Sequence, residues 1–248
     1  MDFYDVWGSD TRDTLGGACS VGTNSDMQLY QAYITLGQAW GSNLDIKVGR
    51  QEVQLGSEFL VGNNDTAGFY TGLSFDGITA VYNADSFNVT LLSLKEAEGD
   101  VGSLVSDSDS DMYGIYGSYT GIENMVIDGY VLHNRIGVPT ADNLDITTFG
   151  ARVAGDWNAL DYEAEVAIQS GDGPANTDNK GMAINTELGY TFDTAHAIRI
   201  FGGVTILEGP DGNDNGFNRL YSDWEYSEFL GNGDIGNVTF PGLGADIY

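Results

Sequence analysis

The sequence predicts an all-β protein, an antiparallel up-and-down transmembrane β-barrel with short turns at one end and long loops at the other. Three observations predict it. The composition, with 35 Gly, 12% aromatic residues and only 4 Pro, suits many strands and turns. Leu160-Asp161-Tyr162-Glu163-Ala164-Glu165-Val166-Ala167-Ile168-Gln169 alternates apolar and polar side chains with the period of a two-faced strand. The gaps between such stretches alternate between tight and long along the chain.

Taken in order, the strands fall near 1–7, 27–37, 43–50, 74–83, 86–95, 112–120, 125–133, 145–155, 159–170, 181–193 and 196–205, about eleven in all. The connections at 38–42, 84–85, 121–124, 156–158 and 194–195 are tight. Those at 8–26, 51–73, 96–111, 134–144, 171–180 and from 206 onward are long and rich in Gly, Asn, Asp and Ser. Outer-membrane barrels sort their connections in this way, with short periplasmic turns and longer extracellular loops. A Greek-key sandwich has no reason to do so.

Individual stretches show the two faces. Leu44, Ile46 and Val48 alternate with Asp45, Lys47 and Gly49. Thr147, Phe149, Ala151 and Val153 alternate with Thr148, Gly150, Arg152 and Ala154, and the tight link to Leu160 makes a hairpin in which Arg152 lies opposite Asp161, Glu163 or Glu165. Met182 to Phe192 alternate with Glu187 on the polar face, and Ile198, Ile200 and Val204 oppose Arg199 and Phe201. Over 125–133 the order does not separate into faces. An aromatic flanks each tight turn: Trp40, Tyr82 with Phe87, Tyr119, Trp157 and Phe192. They are expected to form a girdle at the periplasmic boundary.

Charge narrows the function. Asp+Glu 37 against Lys+Arg 9 leaves a net charge of −28, which excludes nucleic acid as a partner, because phosphate neutralisation needs a basic surface. Cys19 stands alone, so no disulfide framework or thiolate metal cluster is expected. No apolar run is long enough for a transmembrane helix. Met1-Asp2-Phe3-Tyr4 shows neither the basic nor the apolar part of a signal peptide, and Thr239 to Tyr248 is glycine-rich and interrupted. The expectation is one barrel domain over 1–248, incomplete at both ends.

Candidate chemistry is limited. Glu163 and Glu165 share one strand face and suit an acidic lumen patch better than a glycosidase pair, which needs carboxyls across a cleft. Arg50 and Glu52 suit an ion pair that fixes the loop 51–73. The loop Gly209 to Gly216, with Asp211, Asn213 and Asp214, is oxygen-rich and glycine-broken, a weak Ca²⁺ candidate lacking the closing Glu. Asp107-Ser108-Asp109-Ser110-Asp111 is another. His133 and His196 are isolated, and no nucleophile triad, P-loop or dinucleotide fingerprint occurs, so no enzyme and no cofactor is expected.

Leu29-Tyr30-Gln31-Ala32-Tyr33-Ile34, Val48-Gly49-Arg50-Gln51-Glu52, Gly56, Leu60-Val61-Gly62 and Ser74-Phe75-Asp76-Gly77 resemble the alginate export family of outer-membrane barrels. Thr148 to Gly155 with Tyr162-Glu163-Ala164-Glu165 looks like a later hairpin of that family, and Phe217-Asn218-Arg219-Leu220-Tyr221 like its Phe-Asn-x-Leu loop start. The resemblance covers most of 27–230 and makes Gly49, Arg50, Gln51, Glu52, Phe75, Asp76 and Gly77 a structural turn motif. It implies a porin in the bacterial outer membrane, in contact with lipid and lipopolysaccharide, passing small hydrophilic solutes or polysaccharide. Family members that export a polyanion are expected to line the pore with arginines. Here the expected lumen set is Lys47, Arg152, Asp161, Glu163, Glu165, Glu187 and Arg199, with more acids than bases. The alternative is a soluble or surface-attached all-β module binding Ca²⁺ or glycans through its acidic loops.

Overall fold

The computed structural model describes residues 2–5, 25–63, 73–97, 109–137, 143–194, 196–224 and 238–246. Cys19 and Asp107 lie outside the described residues. Asp2–Asp5 (β1) and Ser25–Gln28 (β2) pair in a small two-stranded sheet. All other strands form one twelve-stranded antiparallel sheet. In chain order they are Ala32–Leu36 (β3), Leu44–Gln51 (β4), Phe75–Asn83 (β5), Phe87–Ala97 (β6), Ser110–Ile122 (β7), Met125–Ile136 (β8), Leu144–Trp157 (β9), Leu160–Gly173 (β10), Thr177–Asp178 (β11), Gly181–Thr191 (β12), Arg199–Leu207 (β13) and Val238–Asp246 (β14). Each pairs with its neighbour in sequence, apart from β11, which folds back on β10 and leaves β10 beside β12.

The up-and-down order follows from the turns. Asn124 and Asn158 take left-handed φ angles of 57° in the two-residue hairpin turns between β7 and β8 and between β9 and β10, the conformation that a tight hairpin demands and that asparagine tolerates. The tight connections all lie at one end of the sheet, the turn end, and the long ones at the other, the loop end.

The structure differs from expectation at two strands. Residues 27–37 are not one strand. The chain breaks at 29–31, where Tyr30 Oη donates to Glu52 and Arg50 Nη1 donates to the Leu29 carbonyl at 3.3 Å. And 238–246 is a full strand, paired with β13 from Arg199↔Asp246 to Leu207↔Val238. Its glycines do not prevent this, because the ladder is made by backbone groups alone. β3 and β14 form the edges of the sheet, and both run from the loop end to the turn end.

One face of the sheet is apolar and exposed, strand after strand: Ile34, Val48, Ile78, Leu91, Ile115, Val131, Phe149, Val166, Ile168, Leu188 and Ile206. The other carries Gln51, Thr79, Asp128, Thr148, Glu165, Gln169, Asn185 and Thr205, all buried. Over 125–133, where alternation is unreadable, Asp128, Tyr130, Leu132 and Asn134 point to this second face and Ile127 and Val131 to the first. The second face is concave. Tyr221 rests on Phe75 of β5, with ring centroids 5.1 Å apart, while Asn218 is bonded to Gln169 of β10. In a flat sheet β5 and β10 would lie roughly 24 Å apart, yet this one short inner segment packs on both. The sheet therefore curls around this segment.

Candidate functional site

The concave face is two surfaces in one. Its loop-end half is filled by the chain itself. Residues 52–63, after β4, and 208–224, after β13, fold inward and hold each other: Gly62 N–H donates to Tyr221 O at 2.9 Å, Tyr221 N–H to Leu60 O at 2.9 Å and Asp223 N–H to Glu58 O at 3.0 Å. Val53, Phe59, Leu60, Val61, Phe217 and Tyr221 enter a core with Phe75, Leu92, Leu94, Met112, Leu132, Ala167, Ala183 and Leu207 of the wall. Burying each large side chain there stabilises the docked state by about 1.5–3 kcal/mol. Polar contacts set the register: Gln169 Nε2 donates to Asn218 O at 2.7 Å, and Asn218 N–H donates back to Gln169 Oε1 at 2.7 Å. These apolar wall positions explain why alternation failed over 125–133: Tyr130 and Leu132 face a core there, not water.

The turn-end half is charged. Arg152, on β9, donates to Asp128 of β8 at 2.8 Å and to Glu163 of β10 at 2.7 Å. Its direct cross-strand neighbour is Glu165, as one of the three expected registers required. Glu165 instead accepts from Tyr130 Oη at 2.5 Å and Ser57 Oγ at 3.4 Å, and so lies under the first inner segment. Gly56 makes that fit. It takes a φ of 58°, and a Cβ there would stand 2.7 Å from Tyr116 Oη and 3.2 Å from Arg152 Cδ. Tyr116 and Tyr130 stack in parallel beneath it, centroids 5.4 Å apart. Arg199, on β13, binds three acids: Asp161 at 2.5 Å, Glu187 at 2.7 Å and Asp246 at 3.3 Å. Lys47 lies over the Tyr33 ring, 4.1 Å from its centroid. A cavity of about 440 Å³ opens at this end, lined by Thr120, Asn124, Val126, Arg152, Ala154 and Asp156 among others.

The sequence-expected lumen set thus all lies on the concave face, in separate groups: Arg152 with Glu163 and Glu165, Arg199 with Asp161 and Glu187, and Lys47 apart. Alternation missed Asp128, whose strand mixes wall and core positions. It also missed Asp246, whose strand is glycine-rich. The turn motif divides. Gly49 sits mid-strand with φ 127°, where a Cβ would meet the Ala32 carbonyl at 2.3 Å. Gln51 is fully buried, its Nε2 donating to the Gly77 carbonyl at 3.1 Å and its Oε1 accepting from Thr79. Arg50 pairs with Asp76 on the convex face, not with Glu52. Phe75 belongs to the core.

The Ca²⁺ candidates form a staple between loops. Asp214 Oδ1 accepts from Lys180 N–H at 2.9 Å and Gly216 N–H at 3.0 Å, and these bonds hold its carboxyl below the ordinary aspartate range. Asn213 Nδ2 donates to Asn176 O. Asp211 N–H and Asp214 O close a tight turn at 3.0 Å. Among the described residues no three His, Cys, Asp or Glu side chains converge as a metal site.

A family model for alginate export matches residues 10–227, most of the chain. The chain belongs to the alginate export family. No curated protein matches it. Among solved structures it is similar to outer-membrane expressed OmpT of Vibrio cholerae, with a TM-score of 0.39 and 17% identity, over 82% of this chain and 76% of that one. This alginate export family chain is an all-β protein of the bacterial outer membrane, and its family is one of outer-membrane channels. Membership also gives the convex face its meaning. Trp40 and Trp157, 85% and 70% exposed, with Tyr82, Phe87, Tyr119 and Phe192 line its turn-end rim, and the aliphatic rows lie between them and the loop end.

Proposed function

We propose that this chain builds the wall of a passive channel, loops outside and turns in the periplasm, which passes cations and neutral hydrophilic solutes and carries out no chemical turnover. Lipid covers the convex face. The solute moves along the concave face, past the two inner segments and through a hydrated, acidic turn-end vestibule. One observation carries the reading: the two arginines that the described wall strands turn to the concave face are each held by carboxylates, Arg152 by Asp128 and Glu163, Arg199 by Asp161, Glu187 and Asp246. A polyanion leaving water needs guanidinium charge that is not already compensated. Here the wall's own carboxylates compensate each guanidinium, and the surplus charge is negative, which favours cations. Exposed apolar rows on every long strand weigh against the soluble Ca²⁺- or glycan-binding module, since contiguous apolar surface of that extent does not stay in water.

The complete protein in planar bilayers under a KCl gradient tests this. The expected reversal potential is that of a cation-selective pore. Anion selectivity, or block by micromolar polymannuronate, would overturn the reading.

A further inference from the structure

The two arginine groups of the concave face are built differently. From β13 the Arg199 side chain crosses β12 to reach β10, where Nε donates to Asp161 Oδ2 at 3.1 Å and Nη2 to Asp161 Oδ1 at 2.5 Å. Nη2 also donates to Glu187 Oε1 of β12 at 2.7 Å, and Nη1 to Asp246 Oδ2 of β14 at 3.3 Å. Gly189 of β12 clears the crossing. A Cβ there would stand 2.5 Å from both Asp161 carboxylate oxygens and 2.6 Å from Arg199 Nε. The guanidinium lies over the Phe201 ring, 4.6 Å from its centroid, and Gly244 of β14 makes room for the ring, since a Cβ there would meet it at 2.2 Å. Arg199 is thus fixed, with carboxylates on three sides.

Coverage separates the groups first. Gly56 of the first inner segment lies against the Arg152 side chain, and Asp128 keeps only 2% of its side chain exposed. The acids of Arg199 stand on the wall strands, and Asp161, Glu187 and Asp246 keep 37%, 27% and 40% exposed. Charge separates them next. Three carboxylates against one guanidinium leave two negative charges at Arg199. The registers add Asp156 directly opposite Asp161 and Glu163 directly opposite Glu187. Like charges directly opposite each other destabilise a sheet, so stability does not account for this crowding. Hydrated negative charge on a pore wall gathers cations and repels anions within a Debye length, roughly 8 Å at physiological salt.

We propose that Asp161, Glu187 and Asp246 set the ion preference of the pore, an assignment that rests on the cation-selective reading above. Arg199 and Gly189 are positioning residues: the fixed guanidinium holds three like charges within one patch of wall, and the glycine lets it reach all of them. The covered Arg152 group secures the first inner segment and leaves the preference unchanged.

The ratio of K⁺ to Cl⁻ permeability, measured on the complete protein in planar bilayers under a KCl gradient, tests this. Asp246→Asn and Asp128→Asn each take one carboxylate from one arginine and leave an amide oxygen to accept its hydrogen bond, so they compare the groups at equal change of charge. Asp246→Asn should lower the ratio about twofold, and Asp161→Asn with Asp246→Asn about fivefold, as for acids that face the permeating ion. Asp128→Asn should leave it unchanged, and Arg199→Gln should raise it. Heat-modifiable gel migration checks that each variant folds, and should the double variant not fold, Asp246→Asn against Asp128→Asn still decides. A cation-selective wild type whose ratio folded Asp246→Asn leaves unmoved, or Asp128→Asn moves as far, would overturn this assignment alone. An anion-selective wild type would overturn the cation reading and this assignment with it.

Discussion

The two halves of the concave face share the same strands, yet they solve opposite problems. At the loop end, Phe59, Val61, Phe75, Met112 and Leu132 are packed dry, at 0–1% exposure. At the turn end, Arg152 and Arg199 are held by acids, and Arg152 lines an open cavity. A barrel wall that only lined water would be polar along its whole length. This wall places a cluster of apolar side chains where the chain folds back on it, so the inner segments belong to the fold as core elements and not as loops draped in a channel.

The dry half should break most severely. Phe59→Ala leaves a cavity costing about 3–5 kcal/mol, as for other large-to-small core changes. The inner segments should undock while the sheet persists, seen as higher single-channel conductance with unchanged heat-modifiable migration. In the charged half, Arg152→Ala strands Asp128, whose side chain is 2% exposed, and Glu163; removing one partner of a buried pair costs about 3–5 kcal/mol. Arg152→Met with Asp128→Leu should recover most of it, which urea titration in detergent micelles would register.

The convex face offers a sharper contrast. Val166→Arg puts a charge toward lipid at a cost of about 2–4 kcal/mol near the midplane, and assembly into outer membranes should fall. Had Glu165 stood in open water, as alternation alone suggested, Glu165→Arg would be harmless. Beneath Ser57 and against Tyr130 it should instead displace the first inner segment. The smallest effect concerns the loop staple. Two backbone N–H groups hold the Asp214 carboxyl below its ordinary range, so they favour the folded staple above that range and release it as pH falls through the lowered value. Amide exchange at Lys180 and Gly216 should speed up only in that acid window, and Asp214→Asn should remove the pH dependence.

Period-two alternation made the strands, the turn polarity and the lumen charges Arg152, Glu163, Glu187 and Arg199 legible, because each such residue faces water or its opposite charge. It failed where a strand faces protein on one side and lipid on the other. There Tyr130 and Leu132 look no different from Ile127 and Val131. The inner segments were illegible for a related reason: Val53, Phe59 and Val61 sit in a glycine-broken stretch with no period, and only the curvature of the sheet brings them to Phe217 and Tyr221. β14 was missed because backbone pairing leaves no trace in side chains such as Gly242 and Gly244.

Thiol accessibility tests the division of the wall most directly. In a Cys19→Ser background of the complete protein, single cysteines replace Ala154 at the vestibule, Ala183 in the dry half and Ile168 on the convex face. A small membrane-impermeant maleimide is then given access to both sides of outer-membrane vesicles. Ala154→Cys should react, while Ala183→Cys and Ile168→Cys should stay protected, the latter yielding only to a lipid-soluble reagent. Rapid labelling of Ile168→Cys by the impermeant reagent, with Ala154→Cys silent, would contradict it.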